Sequence, residues 1–454
     1  MTSSRLLLGL APSPPASLPH SPPPAFDAHR CSFSLPAILR AIVCVAVLGG
    51  CTTPTQQNDR PVAPDPTAAR ASDGADDSAS NAGPEPRDFE ALASVQAFRA
   101  LQGSLDEMVD VILRDARTER EASEGMRFLL RTLAMSIDVQ ADGNPVAPHF
   151  ARMDTQARKV GGDNPDAEYD LVVLDGQRDY VIRGQLGSVR HLSFTVMGER
   201  NARGAETIAY YNEQTLGADD EGNFTLYLTR NEPAGRNHVD TRGGLSSILV
   251  RQYIGDRSQE ELARYTIDVL DRDPEAPIPY STDASIAKAL VGTRFAFEAL
   301  STLHRTVMPE LLDQPNRFVR ANSDDFGADI SSSDNLYVIG AYQVDADEAL
   351  VIESDVPDVR YWNLTVESRW HETVDYRFRR THRTLDDVVL EPDGRVRFVL
   401  AHGPTPHPNW LDTGGHREGF LSFRCVGRRE TRPPLPTIRR VKRSELEAAL
   451  RDPH

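Results

Sequence analysis

A chain of 454 residues exceeds what one hydrophobic core usually organises, so two domains with unstructured ends are expected. Hydrophobic residues make up 39% and charged residues 26%, enough for packed cores and too polar for a multi-spanning membrane protein. The formal net charge of -17 argues against nucleic acid as a partner, because phosphate binding needs a basic surface.

Residues 1–50 read as a leader. The first 30 are rich in Pro and Ser without periodicity, and Arg40 then precedes the apolar run Ala41–Leu48, too short to span a bilayer and suited to the h-region of an export signal. Leu48-Gly49-Gly50-Cys51 follows and resembles the lipobox of bacterial lipoproteins. The resemblance implies a mature chain beginning at lipid-modified Cys51 and anchored in the membrane of the cell envelope. Thr52, where Asp would signal inner-membrane retention, directs it to the outer membrane if the cell has one. The stretch before Arg40 departs from that pattern, in which a charged n-region starts the chain. With Cys31 and Cys44 in the leader and Cys51 acylated, Cys425 is the one remaining thiol and no disulfide is expected. Residues 51–88, dominated by Pro, Ala, Asp, Ser and Asn, read as a flexible tether.

A helical segment is expected over 89–140, with Leu92, Val95, Phe98, Leu105, Met108 and Ile112 at three- and four-residue steps and a second apolar stripe in Ser123–Ser136. Gly161-Gly-Asp-Asn-Pro-Asp166 is a turn cluster. Its acids lack the spacing of a calcium loop, so they read as a turn entering a strand. The period then falls to two, as in His191, Ser193 and Thr195 alternating with Leu192, Phe194 and Val196, and a first β-unit spans 160–256. Helical spacing over Gln259–Leu270 and Ala284–Val307 gives a connector at 257–320, and strands resume in a second unit at 330–428. The basic run from Arg428 to Arg443 places a solvated tail at 429–454.

The two units are related. Val189-Arg-His-Leu-Ser-Phe-Thr-Val196 aligns with Val359-Arg-Tyr-Trp-Asn-Leu-Thr-Val366, and Asn237-His-Val-Asp-Thr-Arg-Gly243 with Asn409-Trp-Leu-Asp-Thr-Gly-Gly415. Between these blocks, Glu221-Gly222 matches Asp393-Gly394, each a hairpin signal before a strand. The fold class is therefore mainly β with accessory α-helices, in two related sandwich or jelly-roll-like units of roughly 75 residues joined by a helical segment.

The second copy carries Arg360-Tyr-Trp-Asn-Leu-Thr-Val366, Asp393-Gly394 and Pro408-Asn-Trp-Leu411, and there it resembles the domain of unknown function 1214 family. Glu124-Gly-Met-Arg-Phe-Leu-Leu130 and Gly162-Asp-Asn-Pro-Asp166 look like the segments that precede this domain in longer members, so the resemblance runs from about Glu119 to Gly427. It implies tandem β-units and an exported setting but no reaction, cofactor or catalytic residue. Asp412-Thr-Gly-Gly-His-Arg-Glu418 stands where members often continue with Pro-Ala-Pro.

No standard catalytic signature is present. His371-Glu372-Thr-Val-Asp375 comes near a zinc motif but has Asp in place of the second His, on a strand-like background. The loop from His402 to Glu418 concentrates the candidate chemistry. His402, His407 and His416 could hold a metal; His416 and Glu418 could instead serve as acid and base. Asn409, Trp410, Asp412, Thr413 and Arg417 could bind a glycan or another small polar ligand, with Trp410 stacking on a sugar face. The repeated Asn-x-x-Asp-Thr also fits a side-chain-capped turn that the fold needs twice. Trp362 alternates in register with Leu364 and Val366 and reads as core. Ligand binding, hydrolysis of an envelope carbohydrate or ester, and a structural scaffold all remain open.

Overall fold

The computed structural model describes residues 88–451, apart from 202–203, 232–236, 243, 271, 274, 307–308, 322–333 and 428–431. The lipobox-like tetrapeptide with Cys51, and the tether, lie outside the described residues.

Two helices open the described chain, α1 (Ala93–Asp115) and α2 (Glu119–Ser136), the second capped by the Thr118 side chain, which accepts from the Glu121 amide. α2 runs into a single π-turn, Ile137–Ala141. Nine strands follow: β1 (Ala151–Arg152), β2 (Ala167–Val173), β3 (Tyr180–Gln185), β4 (His191–Asn201), β5 (Gly204–Asn212), β6 (Asn223–Thr229), β7 (His238–Asp240), β8 (Ser247–Tyr253) and β9 (Arg264–Val269). The connector holds α3 (Asp283–Ser301) and the short α4 (Leu303–Thr306) and α5 (Glu310–Asp313). The second nine are β10 (Arg317–Ala321), β11 (Asn335–Gln343), β12 (Glu348–Ser354), β13 (Tyr361–Glu367), β14 (His382–Thr384), β15 (Val396–Ala401), β16 (Trp410–Asp412), β17 (Glu418–Val426) and β18 (Thr437–Lys442), before α6 (Leu446–Arg451).

The sheets repeat strand for strand. The first unit pairs β1-β2-β8-β4-β5 with β7-β6-β3-β9, and the second pairs β10-β11-β17-β13-β14 with β16-β15-β12-β18; adding nine to each strand number converts one arrangement into the other. Even the parallel exception recurs, as β6 with β7 and β15 with β16. Gly222 and Gly394, the repeated turn glycines, both sit at φ 83, a left-handed conformation that costs other residues strain. The chain is thus mainly β, with two similar units and accessory helices.

The repeat reaches further than the sequence pattern suggests, and two expectations are corrected. The stretch Gln259–Leu270 contains the strand β9 rather than a helix: Tyr265, Ile267 and Val269 alternate inward against the first core, and a short apolar run fits either period until its partner is known. The basic tail is not simply solvated. β18 pairs with β12, Ile438 packs on the second core, and Val441 joins Leu446 of α6 over Val351 and Val399.

Each unit closes its own apolar core. In β4, Leu192, Phe194 and Val196 enter the first core, while His191, Ser193 and Thr195 on the opposite face are also fully buried. In β13, Trp362, Leu364 and Val366 enter the second core, with Tyr361, Asn363, Thr365 and Glu367 opposite and buried as well. These polar faces meet: the Tyr253 and Tyr361 rings lie 5.2 Å apart, the Tyr253 hydroxyl donates to Asn335 Oδ1 at 3.1 Å, and Arg190 pairs with Asp386 at 2.7 Å. A polar seam therefore joins the two units.

The helices lock onto the second unit through Trp370. Its indole is fully buried, its Nε1 donates to the Glu121 carbonyl at 3.0 Å, and its ring meets Phe128 at 6.4 Å and His304 edge-on at 4.8 Å. Gly125 makes this approach possible, since a Cβ there would lie 2.3 Å from Ile112 and 3.1 Å from the indole. Replacing Trp370 by Ala should cost about 3–5 kcal/mol of stability, read as a lower urea midpoint with an unchanged slope.

Candidate functional site

The His402–Glu418 loop is a structural junction. His402 bonds the Val344 carbonyl at 3.0 Å and the Thr413 hydroxyl at 2.6 Å, His407 meets Glu391 at 3.3 Å, and His416 meets the Thr413 carbonyl at 2.9 Å and Glu124 at 2.7 Å. Each ring is engaged in hydrogen bonds of its own, with His402 and His416 both reaching Thr413, so the proposed metal set is not assembled. Among the described residues no group of three or more His, Cys, Asp or Glu side chains is placed to hold a metal ion. Nor do His416 and Glu418 face each other as acid and base. Glu418 pairs with Arg117 and, at 3.5 Å, with Arg369, while His416 turns to α2. Burial raises the Glu124 carboxyl, but the hydrogen bond and charge of His416, helped by Arg120, outweigh it and hold the group at about 2.

The ligand candidates in this loop are similarly occupied, except that Trp410 Nε1 is buried without a hydrogen-bond partner. Asn409 is fully buried, donating to the Val389 and Arg397 carbonyls at 2.7 and 2.8 Å and accepting from the Val389 amide at 2.9 Å. Asn237 repeats the role by donating to the Leu216 carbonyl. Asp412 accepts from the Gly414 amide at 2.8 Å and pairs with Arg379 at 3.0 Å, as Asp240 accepts from the Arg242 amide at 3.0 Å. Thr413 holds His402, and Arg417 pairs with Asp345 at the surface. Trp410 packs against Val351, Val399 and Leu446, and Trp362 is core. The repeated Asn-x-x-Asp-Thr is thus a capped turn built twice.

A richer cluster lies on the seam, where Lys159–Asp166 meets β13 and the loop Ser368–Tyr376. Asn164 shapes the turn by accepting from the Asp166 amide at 3.1 Å. Asp166 then receives the Tyr361 hydroxyl at 2.9 Å, Asn363 Nδ2 at 2.8 Å and His382 at 3.3 Å. Asp163 accepts from the Thr373 amide at 2.7 Å through one oxygen, and its other oxygen is buried without a hydrogen-bond partner. Asp154 Oδ1 and His382 Nδ1 are likewise buried and unpartnered. Lys159 donates to the Thr373 carbonyl and lies 4.6 Å from the centre of the Tyr376 ring, whose edge meets His382 at 5.8 Å. Tyr376 is half-buried and brings the cluster to the surface.

The environment separates these acids. Burial, reinforced by the charge of Asp163, pushes Asp154 up to about 8, and burial raises Asp163 to about 6. Burial lifts Glu372 to about 7, although Arg131 reaches it at 2.9 and 3.0 Å. Asp166 goes the other way: burial is outweighed by the His382 hydrogen bond and charge and by its donors Asn363 and Tyr361, so its carboxyl is depressed. Burial also lowers Lys159, against the opposing pull of Asp163. Burial thus favours the protonated form of Asp154 at neutral pH, and the donors around Asp166 favour its ionised form.

Beneath the cluster sits a buried network. Glu367 is fully buried and accepts from Arg424 at 2.9 Å, Ser422 at 2.5 Å and His371 at 3.1 Å. His371 is stacked on Phe420 at 3.8 Å and held at φ 57, its carbonyl accepting from the Gly162 amide at 2.6 Å. The near-zinc stretch His371–Asp375 therefore supplies anchoring groups. Gly161–Asp166 forms the expected turn, and its partners lie about two hundred residues away in the chain.

Residues 342–429 match the family model described as a protein of unknown function, DUF1214. The match falls within the second unit. An uncharacterized protein from Burkholderia cenocepacia is similar in structure at 26% identity and a TM-score of 0.72, covering 77% of this chain and 98% of its own. A protein from Vibrio parahaemolyticus has 12% identity and a TM-score of 0.41, covering 69% and 98%. No curated protein matches the chain. Within the matched residues lie Tyr361, Asn363, Tyr376 and His382; Asp154, Lys159, Asp163 and Asp166 come from the first half of the chain.

The raised carboxyls set a pH dependence. In the folded chain Asp154 and Asp163 hold their protons more tightly than the ordinary value of 3.8, so protonation favours folding. That stabilisation is complete below about pH 4 and is lost as pH rises through about 6 and then about 8. Melting temperatures from pH 5 to 9 should therefore fall on the alkaline side in the wild type, and the fall should be smaller in Asp154→Asn.

Proposed function

We propose that the seam at Tyr376 binds a small polar ligand, in a protein tethered to the cell envelope through Cys51. The observation that carries this reading is the cluster of buried polar atoms without partners, Asp154 Oδ1, Asp163 Oδ2 and His382 Nδ1, gathered behind a half-buried tyrosine. Leaving a buried polar group unpaired costs about 1–3 kcal/mol, so several in one place favour a site completed by hydrogen bonds from a ligand. Sites of this kind commonly lie between domains, with a few convergent polar groups.

Turnover is a second reading, favoured by the His382–Asp166 pair at 3.3 Å and by the unpartnered Asp154 Oδ1 and His382 Nδ1 on the same seam. Asp154 could pass its proton to a leaving alcohol oxygen while His382, oriented by Asp166, takes a proton from the attacking water. The C–O bond to the alcohol then breaks as a new bond to the water oxygen forms. That chemistry suits an ester or carbohydrate linkage.

Thermal unfolding against a library of sugars, hydroxy acids and amino acids, with chromogenic esters and glycosides assayed in parallel, tests both. A ligand at a hundred times its Kd should stabilise by about 2.7 kcal/mol, and His382→Ala and Tyr376→Ala should abolish the effect. Hydrolysis should require protonated Asp154 and decline as pH rises through about 8. A library without effect on unfolding or turnover would leave the scaffold reading.

A further inference from the structure

A groove of about 530 Å³ lies between the helical layer and the first unit, far along β2 from the seam, lined among others by Gln140, Asp142, Asp175, Tyr280 and Lys288. Its volume falls within the range of small-molecule sites. The π-turn at the end of α2 places Gln140 and Ala141 in one wall, and such turns recur at functional positions. Gln140 Nε2 is buried there without a hydrogen-bond partner.

The opposite wall is unusual. Pro277-Ile278-Pro279-Tyr280 leads into α3, and its two prolines fix φ, restricting the segment before any ligand arrives. Tyr280 is 98% exposed and Ile278 50%, so an aromatic face and an aliphatic side chain stand open at the mouth of a groove that also carries carboxylates, an amide and an ammonium. Folding gains nothing from a fully exposed tyrosine on a restrained segment. A flat apolar face bordered by hydrogen-bonding groups of both signs matches one ligand class well: sugars, whose rings have an apolar face and a rim of hydroxyls that both donate and accept.

We propose that this groove is a saccharide-binding site in which Tyr280 stacks on a sugar ring while Asp142, Asp175 and Lys288 bond its hydroxyls. It is separate from the seam in position and residues, and either site can exist without the other.

The test is binding of the purified folded chain to an oligosaccharide array, followed by calorimetric titration of the best soluble hit. One saccharide should bind at the groove per chain, and this binding should persist in Tyr376→Ala at the seam. Affinity should fall at least tenfold in Tyr280→Ala and in Lys288→Ala and persist in Tyr280→Trp, with melting temperatures unchanged because both side chains are exposed. Absence of binding to every saccharide, or binding that Tyr280→Ala leaves intact, would overturn the proposal.

Discussion

Two sheets pressed together by their polar faces are the constraint on which the rest of this structure depends. β4 and β13 each send alternate residues into an apolar core and the remainder into the seam, where nearly every side chain is buried. Polar groups taken out of water must be paired, and charged ones paired well. Arg251 donates to Thr195 at 3.0 Å in the first unit and Arg424 to Thr365 at 2.5 Å in the second, so the repeat preserves the buried guanidinium and its hydroxyl partner. Around this shared frame the copies diverge. Glu367 stands where the first copy has Met197, and Ser422 where it has Leu249, which concentrates charge on the second unit's side.

That asymmetry locates the charged cluster. The first unit contributes its lead-in segment, Asp154 to Asp166, instead of the equivalent strand positions, and the second contributes Tyr361, Asn363, Tyr376 and His382. Neither half holds the cluster alone. The helices complete the arrangement from outside: Arg131 holds Glu372, and Trp370 fixes the Ser368–Tyr376 loop beneath α2. The His402–Glu418 loop serves the same docking, since His416 and Glu418 reach Glu124 and Arg117.

Much of the fold was legible from periodicity. The helical stripe of α1, the alternation in β4 and the two aligned blocks with their turn glycines all carry local signals, and local signals are what a sequence displays. β9 and β18 escaped because short strands at sheet edges offer too few residues to separate a period of two from one of three to four. The site escaped for a different reason. His402, His407 and His416 are close in sequence yet held by Val344, Glu391 and Glu124, and Asp166 draws its partners from β13 and β14. Spacing along the chain shows nothing of such contacts. A buried Ser or Asn on a strand also looks like a solvated one until the second sheet covering it is known.

Burial in the seam should keep Asp154 protonated at neutral pH while the donors around Asp166 keep it ionised, and carboxyl-carbon NMR titration of selectively labelled aspartates measures that directly. Asp154 should titrate near pH 8, with Asp166 already ionised at the lowest pH at which the protein remains folded. Titration of both near the ordinary aspartate value of 3.8 would mean that the seam leaves its acids unperturbed, and the proposed turnover reading would fail.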